Sequence, residues 1–72
     1  MRRAILEALR ARYEAEIAEA DATANIYLEN SVGIGEHPQH LEEVDKQINK
    51  IANEKEKLEV LDEFEPEKGT KL

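Results

Sequence analysis

Apolar residues in this chain recur at steps of three and four, in two long blocks separated by one glycine-bearing segment. In the first block Leu6, Leu9, Tyr13, Ile17, Ala20, Ala24 and Tyr27 keep that spacing. In the second, Leu41, Val44, Ile48, Ile51, Leu58 and Leu61 do the same. Steps of three and four place side chains on one face of an α-helix, so each block predicts an amphipathic helix. Between them, Asn30-Ser31-Val32-Gly33-Ile34-Gly35-Glu36-His37-Pro38 interrupts any continuous helix. The expected fold is all-α: an antiparallel two-helix hairpin.

The first helix is expected over about 3–30, the turn over 31–37 and the second helix over about 38–63. These make one helical unit over 1–64. Residues 65–72, with Pro66 and Gly69, form an expected flexible acidic tail. Glu14 to Ala24 is rich in alanine and acids and free of proline and glycine, a composition with high helix propensity. The 6-9-13-17 spacing predicts local straightening of the first helix. Pro38 suits the first turn of the second helix, because its missing N–H is not needed there. His37 then stands at the N-cap, where it is not a favoured residue.

Antiparallel pairing sets Leu41 beside Tyr27, Val44 beside Ala24, Ile48 beside Ala20 and Ile51 beside Ile17. Leu58 then falls near Leu9, and Leu61 near Leu6. Lys55 interrupts the second stripe opposite Tyr13. The expectation is that its aliphatic stem covers the ring while the ammonium reaches water or Glu16. Val32 and Ile34 are expected to fold over Leu28 and Leu41. The turn residues Val32, Gly33, Ile34, Gly35, His37 and Pro38 are therefore either a cap on the end of the hairpin or a docking feature.

The first helix carries a second apolar repeat. Ala4, Ala8, Ala11, Ala15, Ala18 and Ala22 also step by four and three, on the side opposite the Leu/Tyr/Ile stripe. A helix apolar on two sides is normally covered on both. A chain of 8.2 kDa without cysteine has neither a large core nor a disulfide to compensate. Self-association into a dimeric four-helix bundle follows as the expectation. The interface is assigned to Ile5, Ala8, Ala11, Ala15, Ala18, Ala22 and Ile26.

The charge of the chain is −7, which disfavours nucleic acid as a ligand because that binding relies on clustered cations. Residues 1–13 hold four arginines against Glu7, and residues 14–72 hold six lysines against sixteen acids. The basic start is expected to be neutralised by the acidic end of the second helix, near Glu54, Glu56, Glu59, Asp62 and Glu63. No apolar run approaches the ~18 residues of a membrane span, and Met1-Arg2-Arg3-Ala4-Ile5-Leu6 lacks the features of a secretory signal. A cytoplasmic protein is expected.

No catalytic arrangement stands out. His37 and His40, flanked by Glu36 and Glu43, are the only histidines, and no third strong ligand joins them at zinc-site spacing. Gly33-Ile34-Gly35 lacks the strand and third glycine of a phosphate loop. Ser31 is the sole serine, and a helix pair gives its carboxylates no water-excluded cleft. Neither enzyme activity nor a cofactor is expected.

The segment Tyr27-Leu28-Glu29-Asn30-Ser31-Val32-Gly33-Ile34-Gly35-Glu36-His37-Pro38 precedes an acidic amphipathic helix with Asp45-Lys46 and Lys57-Leu58. Together they resemble small uncharacterised proteins of T4-like tailed phages of marine bacteria, over about residues 22–61. That resemblance implies a phage product acting in a bacterial cytoplasm or in virion assembly, and it supplies no functional residues. The expected function is oligomerisation and protein–protein interaction. The alternative is an acidic inhibitor or nucleic-acid mimic that occupies a basic groove on a host or phage enzyme.

Overall fold

A computed structural model of the chain describes residues 1–29 and 38–65. It holds two helices in contact, α1 (Arg2–Glu29) and α2 (Pro38–Asp62). The turn residues Val32, Gly33, Ile34, Gly35 and His37, with the cap or docking role expected of them, lie outside the described residues, as do residues 66–72.

Neither glycine nor proline interrupts α1, and two of its polar side chains bond back to the helix itself. Thr23 Oγ1 donates to the Glu19 carbonyl and Asn25 Nδ2 to the Asp21 carbonyl, each at 2.9 Å. Pro38 opens α2. Past Asp62 the backbone tightens into three-residue steps, with the amides of Glu63, Phe64 and Glu65 donating to the carbonyls of Val60, Leu61 and Asp62. Such steps satisfy carbonyls that a helix end otherwise leaves open.

The antiparallel register is fixed by contacts along the rod. Tyr27 meets His40 edge to face, with ring centroids 5.4 Å apart. Lys50 Nζ lies 2.7 Å from Glu16 Oε1. Arg10 Nη2 donates to Asp62 Oδ1 at 2.8 Å and to Glu65 Oε2 at 2.9 Å. Arg2 donates to the Phe64 carbonyl. Arginine neutralisation at this end therefore runs through Asp62, one of the acids expected, and Glu65, which was not.

On α1 the half-buried and buried positions include Leu6, Leu9, Arg10, Tyr13, Ile17, Ala20, Ala24 and Tyr27. Leu9 and Arg10 share one level, so 6-10-13-17-20-24-27 gives an uninterrupted alternation of four and three. The 3-4-4 step expected to straighten the helix is not needed to describe the seam.

On α2 the seam departs from the expected stripe. It follows His40, Val44, Gln47, Ile51, Glu54, Leu58 and Leu61. Leu41 is 75% exposed and Ile48 55% exposed, so neither belongs to the interior. The register instead brings Gln47 level with Ala20 and Glu54 level with Tyr13.

The cause is geometric. Two seams at heptad spacing share Val44, Ile51 and Leu58. One adds positions 40, 47, 54 and 61; the other adds 41, 48, 55 and 62. Apolarity favours the second seam near the turn and the first near the termini, where Leu61 competes with Asp62. The contacts at the terminal end decide between the two seams. Here Leu61 is buried, Asp62 turns aside to Arg10, and Leu41 and Ile48 rotate out. Lys55 goes with them and is exposed. The lysine over Tyr13 is Lys57, whose Nζ lies 5.3 Å from the ring centroid.

The resulting interior is thin. Among the described residues the buried apolar ones are Ala20, Ala24 and Leu61, and Glu54 is buried with them at 8% exposure. Glu54 Oε2 accepts from Lys57 Nζ at 3.2 Å, whereas Oε1 is buried with no hydrogen-bond partner.

Candidate interaction surface

Three surfaces of the hairpin carry more than scattered charge. The first is the outer side of α1, where Ala8, Ala11, Ala15, Ala18 and Ala22, with Ile5 and Ile26, are all exposed. The alanines lie opposite the seam that meets α2, as their 4-3 spacing requires. Glu7, Glu14 and Asp21 run along one edge of this strip, and Ile5, Arg12, Glu19 and Ile26 along the other.

The second surface was hidden from the sequence reading by the choice of seam. The ion pair between Glu16 and Lys50 marks one flank of the hairpin. On the opposite flank, heptad geometry places Glu7, Glu14, Asp21 and Leu28 of α1 beside Asp62, Lys55, Ile48 and Leu41 of α2. Leu28 is 59% exposed there, next to the exposed Leu41 and Ile48. The turn-proximal half of this flank therefore carries the aliphatic side chains, with Asp21 at its inner limit, and its terminal half is charged. The available signal was the pairing of each leucine or isoleucine with a polar neighbour one residue back: His40 before Leu41, Gln47 before Ile48.

The third surface surrounds the termini. A partly open cleft of about 510 Å³ is lined by Met1, Arg2, Arg3, Leu6, Glu7, Arg10 and Glu65. A shallower one of about 330 Å³ lies among Leu6, Leu9, Tyr13, Lys57, Val60, Leu61 and Phe64. Arg2 and Arg10 at this end are engaged by the chain itself. Hydrogen bonds donated to Asp62 and then to Glu65 hold the Arg10 guanidinium even further above its ordinary range, so it stays charged. On the flank marked by Glu16, the hydrogen bond from Lys50 holds that carboxyl below its usual range. The same contact raises the Lys50 ammonium.

His40 packs on Tyr27. Among the described residues no group of three His, Asp or Glu side chains is arranged to hold a metal ion. No described helix is long and apolar enough to cross a membrane. No protein-family model matches the chain, and neither a curated protein nor a solved structure matches it.

Proposed function

We propose that this protein is a small non-enzymatic interaction module, a helical hairpin that self-associates into a four-helix bundle and presents a surface to a protein partner. One observation carries the reading: the hairpin turns polar side chains inward and apolar ones outward. Gln47 and Glu54 occupy the seam while Leu28, Leu41 and Ile48 remain exposed. A chain of this size cannot forgo three aliphatic side chains from its core unless another surface covers them. A phage accessory role in the host cytoplasm or in virion assembly is part of the same proposal and rests on the resemblance of residues 22–61 alone.

Sedimentation equilibrium at micromolar concentration tests the reading. The expected mass is at least twice 8.2 kDa. A folded species at the single-chain mass contradicts it.

A second reading has its own support. Glu42, Asp45, Glu56 and Glu59 are exposed along the outside of α2, with Glu63 exposed just past its end, in a chain of net charge −7. An acidic face of this kind fits an inhibitor or nucleic-acid mimic for a basic groove. Salt separates the two readings: capture by a basic enzyme weakens steeply with ionic strength, whereas apolar helix packing barely responds.

A further inference from the structure

We infer that a second copy of this chain covers the Leu28/Leu41/Ile48 flank, and that the two hairpins lie side by side with their turn ends together. This inference rests on the self-association proposed above and identifies its face and orientation. The alanine side of α1 then remains outward, available to a different partner.

Rotation of the α2 stripe is the first support. Over residues 40–51 the apolar side chains centre roughly 50° away from the line that meets α1, at about 100° per residue. The hydrophobic face of α2 therefore points between α1 and the open flank, as in a helix with two neighbours. Helix α1 adds Leu28 on the same flank, so the exposed strip spans both helices at the turn end.

Shape is the second support. The protein measures 51 × 22 × 14 Å, so the flank belongs to a broad side with room for a second hairpin laid alongside.

Charge pattern fixes the orientation. With a two-fold axis parallel to the hairpins, α1 of one copy runs antiparallel beside α2 of the other, so every neighbouring pair in the bundle is antiparallel. Leu28 then meets the second copy's Leu41 and Glu14 meets its Lys55, while Asp21 falls level with its Ile48 and Glu7 with its Asp62, a carboxylate already held by Arg10. Neither Glu14 nor Lys55 forms an ion pair inside the hairpin. The opposite orientation with full overlap sets the apolar half of each flank on the charged half of the other. The alanine strip is a poorer self-contact, because an antiparallel pair formed through it brings Glu7, Glu14 and Asp21 of both copies edge to edge.

The test measures the dimer dissociation constant of the full chain by sedimentation equilibrium, with far-UV circular dichroism confirming that each variant is helical. Ile48→Lys and Leu28→Lys are expected to weaken the dimer by about tenfold or more, and Ala15→Glu to leave it unchanged. Glu14→Lys and Lys55→Glu each weaken it, and the double reversal restores it. If Ile48→Lys proves unfolded, these exposed charge reversals still decide the outcome. Loss of the dimer in Ala15→Glu with retention in Ile48→Lys overturns this face while leaving self-association intact. A double reversal weaker than either single change overturns the side-by-side orientation. A monomeric unmutated chain overturns the proposed self-association itself.

Discussion

Replacing Glu54 by leucine should make the hairpin more stable, although it removes a charged group that holds a lysine. Glu54 sits in the seam at 8% exposure, with Oε1 buried and without a hydrogen-bond partner. An unsatisfied buried polar group costs about 1–3 kcal/mol. A leucine buried at the same site gains about 1.5–3 kcal/mol, lessened because the glutamate stem already covers part of that surface. Against these stands the Lys57 contact at 3.2 Å. Lys57 is half exposed, so its loss costs at most about 1 kcal/mol. Helix propensity barely changes between the two residues. The net expectation for Glu54→Leu is a gain of about 2 kcal/mol, or roughly 10 °C in Tm for a domain of this size. Thermal unfolding followed by far-UV circular dichroism, at one fixed protein concentration because association shifts Tm, reads the change. Glu54→Gln, which keeps buried polar atoms, should gain far less. An unchanged or lowered Tm for Glu54→Leu would refute the placement of residue 54 in the seam and return that position to the surface.

Three further outcomes follow from the same packing. Ala20 is fully buried, so Ala20→Leu should overpack the seam and cost about 1–3 kcal/mol in chemical denaturation, whereas Ala15→Leu on the outer face should change stability by less than about 0.5 kcal/mol. Arg10→Ala removes the bonds to Asp62 and Glu65 and should cost about 1 kcal/mol or less; amide hydrogen exchange at Phe64 and Glu65 should quicken while exchange near Ala20 keeps its order in the chain. Because the fold lowers the Glu16 carboxyl below its ordinary value of 4.5 through Lys50, the pair stabilises above the unfolded carboxyl's titration and is lost as pH falls through the lowered value. The raised Lys50 ammonium likewise keeps its contribution below the unfolded lysine's value and loses it as pH rises past the raised one. A carboxyl NMR titration should place Glu16 below the ordinary carboxyl value, and Lys50→Gln should move it back toward that value.

The hairpin itself was legible because its information is redundant. Seven positions on α1 and several on α2 report the same period, so no single residue decides the fold class. The facing register was legible for the same reason, and the contact of Tyr27 with the first turn of α2 agrees with it. What could not be read was which of two interleaved seams α2 would use. Val44, Ile51 and Leu58 belong to both, and hydrophobicity assigns Leu41 and Ile48 inward while assigning Leu61 inward from the other seam. Only the contacts at the terminal end resolve the conflict, among them the bond from Arg10 to Asp62. The same ambiguity exchanged Lys57 for Lys55 over Tyr13. It also concealed the candidate surface, since Leu41 and Ile48 were accounted for as core and Leu28 as covered by the turn.

The alanine repeat was legible as a second apolar face, and each of its residues is exposed on α1. Whether another chain meets that face is not a question of period. It depends on edge charges such as Glu7, Glu14 and Asp21, which a one-dimensional apolar pattern does not weigh.

Small-angle X-ray scattering tests most directly the claim that a second hairpin closes the apolar flank alongside the first. The account predicts a particle of twice 8.2 kDa that is thicker than one hairpin but no longer than its 51 Å axis requires. A single-chain mass, or a doubled mass in a rod substantially longer than one hairpin, would contradict it.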